Sequence, residues 1–240
     1  MTNTDAWDRI AARRSAGDVN VGGAVSYGDD LPTEADLRLC GDPSGKRVLD
    51  LGCGSGENAI AFARDGAHVI ALDASKAQLG LAKKLAEAAE VRVEWHESDA
   101  CDLAFLRADS IDLAFAANLV GEVEDIDRLF RQVHRVLRPG APFVFSIDHP
   151  MALCVGREND APGALPLGDL AVRRSYFDAD AVEVTRDDER INVYARTIAE
   201  VFAGLHRAGY RVDVLLEPQP RDSSVTVPPT IVWRARKEGV

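Results

Sequence analysis

Cysteine is scarce and unpatterned: Cys40, Cys53, Cys101 and Cys154 are the only four in 240 residues. They show neither the paired spacing of a metal site nor the density of a disulfide scaffold, so reduced thiols are expected. Basic residues are outnumbered, with 28 Lys and Arg against 39 Asp and Glu and a formal charge of −11. A nucleic-acid binder needs clustered cations to displace counterions from phosphates, so DNA, RNA and anionic membrane are not expected partners. The same charge favours approach of a cation. No apolar run reaches the length that crosses a bilayer, and Met1-Thr2-Asn3-Thr4-Asp5 opens no secretory leader. A cytoplasmic protein is expected. No internal repeat is present.

What is there is enough apolar mass, 46% of residues, for a single domain built on a sheet covered on both faces. Beyond residue 46 short β-rich runs alternate with helical patterns, the mark of a parallel sheet wound by crossover helices. Arg47 to Leu51 reads as the first strand, Glu57 to Asp65 as a helix closed by Gly66, and His68 to Asp73 as the second strand. Ser75 with Gln78 forms an expected capping box that opens a helix to about Glu90. Val91 to Trp95 and Ile111 to Ala116 are strands three and four. Ile126, Leu129, Phe130, Val133, Val136 and Leu137 then repeat at helical spacing up to Pro139-Gly140.

Pro142 to Ile147 is strand five. Periodicity then fails through about Asn192, in a stretch with Pro162, Gly163, Pro166 and Gly168, which reads as an insertion or lid. Thr197 and Glu200 form a second capping box, Tyr210 to Leu216 is strand six, and Thr230 to Ala235 is strand seven after a turn. The expected fold is α/β, a Rossmann-like, doubly wound seven-stranded sheet that is mostly parallel with an antiparallel last strand.

Between strand one and its helix stands Asp50-Leu51-Gly52-Cys53-Gly54-Ser55-Gly56. Glycines there let the backbone approach a ligand closely. A dinucleotide fingerprint would place its third glycine three residues after the second, but Glu57 stands there and the glycine comes one residue early at Gly56. A carboxylate at Asp50 suits a cationic ammonium and sulfonium and would repel a pyrophosphate. Asp73, ending strand two, is placed to accept from ribose hydroxyls.

Residues 46 to 148 resemble the class I S-adenosylmethionine-dependent methyltransferase family, in its small-molecule, type 11/25-like branch. The glycine loop resembles the family's first motif, Leu72-Asp73-Ala74-Ser75 its second, Ser98-Asp99-Ala100 the turn that meets adenine, and Arg135 to Ala141 the segment entering strand five. The resemblance implies S-adenosylmethionine as methyl donor and S-adenosylhomocysteine as product. It implies that Asp50 and Gly52 meet the methionine end and Asp73 the ribose, that Ala74, Gln78, Asp99 and Ala100 surround the adenine, and that Cys53, Gly54, Gly56 and Asn118 also contact the cofactor. Asn118 occupies the fourth-motif position, but Asn118-Leu119-Val120-Gly121 lacks the family's Asn/Asp-Pro-Pro-aromatic run, which disfavours adenine or glutamine N-methylation. Tyr27 or Trp7, in an N-terminal segment expected to fold over the cofactor, would cover the methionine end or line the acceptor pocket.

Residues 1–240 are thus expected to form one methyltransferase domain, with a cap segment at 1–45, a cofactor-binding core at 46–148, an insertion at 149–192 and closing elements at 193–240. Methyl transfer from a sulfonium is an in-line displacement that needs alignment and exclusion of water more than a base. Where a base is needed, His149 after strand five is the candidate. His134 and His206 are expected at the surface, and Tyr176, Tyr194 and Arg196 flank the insertion near the acceptor. No metal site is expected; the acceptor is expected to be a small molecule. Two alternatives stay open, an NAD(P)-dependent oxidoreductase and a non-catalytic binding protein on the same fold.

Overall fold

In a computed structural model of the chain, residues 2–239 are described, apart from 16, 18, 20 and 157–169. The chain opens with α1 (Asn3–Arg13) and a short α2 (Glu34–Leu37) before entering the sheet at β1 (Arg47–Leu51). It then winds through α3 (Glu57–Arg64), β2 (His68–Asp73), α4 (Lys76–Ala88), β3 (Val93–Glu97), β4 (Leu113–Ala116), α5 (Ile126–Val136) and β5 (Pro142–Asp148). The insertion supplies α6 (Pro150–Cys154), β6 (Val155–Gly156), β7 (Ala171–Val172), β8 (Ala181–Arg186) and β9 (Glu189–Tyr194). The chain closes with α7 (Ile198–Arg207), β10 (Tyr210–Leu216) and β11 (Thr230–Lys237).

The main sheet runs β10-β11-β5-β4-β1-β2-β3. β11 lies antiparallel to both β5 and β10, and the pairs among β1 to β5 are parallel. This is the expected fold, with the last strand of the sequence as the antiparallel member. The central strands β1, β2 and β4 are almost continuously buried, as a strand with helices on both faces must be, while the edge strand β10 alternates. On one face α5 buries Leu129, Phe130, Val133 and Val136 with Phe143, Phe145 and Trp233. On the other, Phe62, Leu79 and Phe115 pack with the N-terminal segment.

Strand order reverses between β1 and β4, since the chain leaves β1 toward β2 and β3 and returns to pair β4 on β1's other side. Ligands of open α/β sheets bind beyond the carboxyl ends of strands at such a switch point. The glycine loop after β1 and Asn118 after β4 stand there.

Several sequence expectations move. β3 starts two residues later than expected, and Ile111 makes only an isolated bridge to Leu137 rather than opening β4. Ser75 caps α4, accepting from the Gln78 amide at 3.1 Å, but the reciprocal half of the box is missing because Gln78 Nε2 donates to the Trp7 carbonyl at 3.3 Å instead. The box at Thr197 and Glu200 forms in full. The stretch expected to lack periodicity through Asn192 contains the β8–β9 hairpin, which buries Val184, Ile191 and Val193 against Ala6 of α1. Pro162, Gly163, Pro166 and Gly168 lie outside the described residues.

Candidate active site

Three glycines of the loop hold left-handed backbone, with φ of +62° at Gly52, +53° at Gly54 and +85° at Gly56. They have different surroundings. A Cβ on Gly52 would come 2.8 Å from Leu119, and one on Gly56 would meet Trp95 and Ala82 at 2.8 and 2.9 Å. Gly54 would meet nothing within 4 Å. Gly56 therefore lets α3 settle against α4 and β3, whereas Gly54 turns its bare backbone toward open space.

Asp73 ties its strand to this loop. One carboxylate oxygen accepts from the Gly54 amide and the other from the Ser75 amide, each at 2.8 Å. A carboxylate has about four acceptor positions, so capacity remains for hydroxyl donors. Beside it, the Ser98 amide donates to the Asp73 carbonyl, which brings the Ser98-Asp99-Ala100 turn against the end of β2. Asp99 caps its own turn through the Cys101 amide, Ala74 is exposed, and Ala100 is buried.

Asp50 is 1% exposed and its Oδ2 has no hydrogen-bond partner. Burial, then the nearby charges of Asp73 and Glu57, push its carboxyl well above the usual range. Asp73 is raised too, by burial foremost and further by Asp8, against the lowering effect of its amide donors. Cys53 shares this field, and its thiol is held protonated by burial and by Asp50 and Asp73. None of the charged groups that act most on Asp50 or Asp73 is cationic. Carboxyls that raise one another in this way hold their protons more tightly, and a bound cation would favour their ionised forms.

A second wall comes from far along the chain. Asp8 of α1 accepts from the Ser75 hydroxyl at 2.5 Å and the Ala77 amide at 3.2 Å, which docks α1 on the start of α4. Trp7 meets Gln78 through its carbonyl on one side and donates its indole N–H to Glu122 at 2.9 Å on the other. Asn118, in left-handed backbone at φ +59°, donates its amide to Ser146 and shares a side-chain hydrogen bond with it.

Residues 48–140 match the family described as a methyltransferase domain. The chain is 35% identical over 102 residues to a ubiquinone biosynthesis O-methyltransferase of Hahella chejuensis, covering 42% of this chain and 43% of that protein. It is 36% identical over 124 residues to a demethylmenaquinone methyltransferase of Clavibacter sepedonicus, covering 50% and 49%. It spans less than half the length of these curated relatives. An S-adenosylmethionine-dependent methyltransferase of Mesorhizobium loti superposes with a TM-score of 0.67 at 26% identity, over 83% of this chain and 94% of that one. Over residues 48–140 the chain is thus similar to the methyltransferase-domain family, and its fold is that of S-adenosylmethionine-dependent methyltransferases.

The structure brings together Asp50, Gly52, Cys53, Gly54, Gly56, Asp73, Asp99 and Ala100, with Ala74 and Gln78 at the start of α4. Two expected site residues are elsewhere engaged. Tyr27 is fully buried in the core, its ring 5.6 Å from that of Phe115 and its hydroxyl donating to Glu34. His149 stands at the end of β5, but its Nδ1 accepts from the Met151 amide at 3.1 Å as the cap of α6. That bond places the ring proton on Nε2, which donates to Glu217 at 2.9 Å. Both ring nitrogens are thus hydrogen-bonded within the protein.

The residues expected near the acceptor are likewise committed. Tyr176 accepts from the Ile198 amide, and Arg196 donates to the carbonyls of Val123 and Glu124. His134, expected at the surface, packs its ring on Tyr210; His206 is exposed. Glu122 was not singled out from sequence at all, because a single Glu after strand four carries no motif and its partners Trp7 and Asn3 lie more than a hundred residues upstream. Among the described residues no group of His, Cys, Asp and Glu is arranged to hold a metal ion, and no helix is long and apolar enough to cross a membrane.

Proposed function

We propose that this protein transfers a methyl group from S-adenosylmethionine to a small-molecule acceptor. The observation that carries the reading is the pair of buried carboxyls, Asp50 and Asp73, raised by burial and by neighbouring acids, beside a loop whose middle glycine faces open space. When bound, S-adenosylmethionine supplies an electrophilic methyl on a positively charged sulfur. Asp73 accepts from the ribose hydroxyls through the lone pairs its amide donors leave free. Asp50, Gly52, Cys53, Gly54 and Gly56 receive the charged methionine end, and Ala74, Gln78, Asp99 and Ala100 flank the adenine. α1, docked on the start of α4 through Asp8 and Trp7, is placed to exclude water from the bound cofactor, which strengthens each electrostatic contact there.

A small acceptor is favoured by the chain's charge, which opposes a polyanion, and by relatives named for quinone methylation. The methyltransferase-domain match falls on residues 48–140, which hold the expected donor contacts, so the comparisons support the donor more strongly than any particular acceptor ring. Calorimetry tests the reading: S-adenosylmethionine and S-adenosylhomocysteine should each bind one site, with no heat from NADH. A flat titration with both would overturn it.

A further inference from the structure

The turn after β4 carries a carboxylate that the cofactor contacts leave unused. Leu119 packs directly on Gly52, within 2.8 Å of where a Cβ would stand, so this turn closes over the methionine side of the glycine loop. Three residues on, Glu122 accepts from Trp7 Nε1 at 2.9 Å and Asn3 Nδ2 at 3.0 Å, both at Oε2. Its Oε1 accepts no hydrogen bond among the described residues. The carboxylate is thus fixed at one oxygen by two neutral donors from α1, while the other accepts none from the described residues.

We propose that Glu122 is the proton acceptor of the reaction, taking the proton that the acceptor's attacking atom sheds. This rests on the methyl-transfer reading above. The attacking atom's lone pair forms the bond to the methyl carbon, the carbon–sulfur pair stays with sulfur, and the acceptor's proton passes to Oε1. A sulfonium and a carboxylate are consumed together, leaving a neutral thioether and a neutral acid, so no net charge is stranded behind α1.

The surroundings suit that task. Burial pushes the Glu122 carboxyl up to about 7, with repulsion from Asp148 adding to it, while Trp7, Asn3 and Arg186 pull the other way. Asp148 of β5 is itself paired with Arg186 of β8 at 2.5 Å. α1 meets Glu122 with Asn3 and Trp7, and β9 approaches the turn through Val193 beside Gly121, none of them titratable. A base with its midpoint near the working pH transfers protons most effectively.

The test uses the indole of Trp7, one of three tryptophans, as a reporter in the cofactor-free protein. Its N–H resonance, identified by its loss in Trp7→Phe, should titrate with a midpoint near 7 in the wild type and stay fixed in Glu122→Gln. Calorimetry at pH 7 in buffers of different ionisation enthalpy then asks whether Glu122 faces the sulfonium. Binding of S-adenosylmethionine should release about half a proton more from the wild type than from Glu122→Gln, because a nearby cation favours the carboxylate. The neutral thioether S-adenosylhomocysteine should show no such difference. A silent Trp7 resonance, or equal proton release by both proteins with unchanged affinity, overturns the role of Glu122 and leaves methyl transfer standing. Failure of S-adenosylmethionine to bind either protein removes both.

Discussion

Contacts around the glycine loop join near neighbours, whereas the wall facing it is assembled from distant parts of the chain. Asp73 reaches Gly54 across 19 positions and Ser75 across two. On the far side Trp7 reaches Glu122 across 115, Arg9 reaches Glu189 across 180, and Asn3 reaches Asn192 across 189. The near wall is set by sheet turns that form wherever β1 and β2 pair. The far wall exists only once α1, the turn after β4 and the β8–β9 hairpin have come together, so it can vary with the acceptor while the near wall keeps one donor.

The comparison breaks most severely at Gly56. Replacing it with Val places a branched side chain against Trp95 and Ala82 in left-handed backbone. Strain and overpacking together should cost about 3 kcal/mol or more. Urea unfolding should show the loss; a variant as stable as the wild type would mean that the near wall is not rigid.

Asp73→Ala attacks the same wall through its ligand. It removes the acceptor from two backbone amides and from the expected ribose contacts, and should weaken S-adenosylmethionine by about 1–3 kcal/mol, roughly five- to a hundred-and-fiftyfold in Kd. Unchanged calorimetric affinity would detach Asp73 from the site.

These two walls also mark what the sequence made legible. Asp50, the glycines and Asp73 sit at strand ends whose positions follow from hydrophobic patterning, and their chemistry is local, so the near wall could be read residue by residue. His149 was placed correctly at the end of β5, but the structure spends both its ring nitrogens, one of them on Glu217 of a distant loop. Tyr27 sits in the N-terminal segment as expected, yet Phe115 and Glu34 draw it into the core. Glu122 acquires its properties only from burial under α1. Side-chain destiny in each of these cases is decided by long-range packing, which no local pattern encodes.

Across the far wall, Glu122→Gln should change the pH dependence of stability. The folded protein holds this carboxyl near 7 and the unfolded chain near 4.5. The unfolded state thus loses its proton first, and the wild type is progressively destabilised as pH rises between those values. The variant lacks this penalty, so its stability relative to the wild type should rise by up to about 3 kcal/mol from acid to mildly alkaline pH. Parallel denaturation curves at all pH values would show that burial of Glu122 is relieved by other means.

The smallest effect is expected at the clasp between α1 and the hairpin, where Glu189 receives Arg9 at 2.7 Å and Arg13 at 2.5 Å, and Arg14 pairs with Asp187. The two arginines that bond it hold the Glu189 carboxyl down to about 2. Its contribution is therefore complete above the ordinary glutamate value and disappears as pH falls through 2. Ion pairs at the surface add little to global stability, so Glu189→Ala should leave the unfolding midpoint nearly unchanged. What it should alter is local: amides of α1 should exchange faster than in the wild type at low ionic strength, and about 1 M salt, which screens such pairs, should remove most of the difference. Equal exchange at low salt would mean that the ion pairs add nothing and that α1 is held by its other contacts, Asp8 and Trp7 on α4, Asn3 and Trp7 on Glu122, and Ala6 on the apolar face of the hairpin.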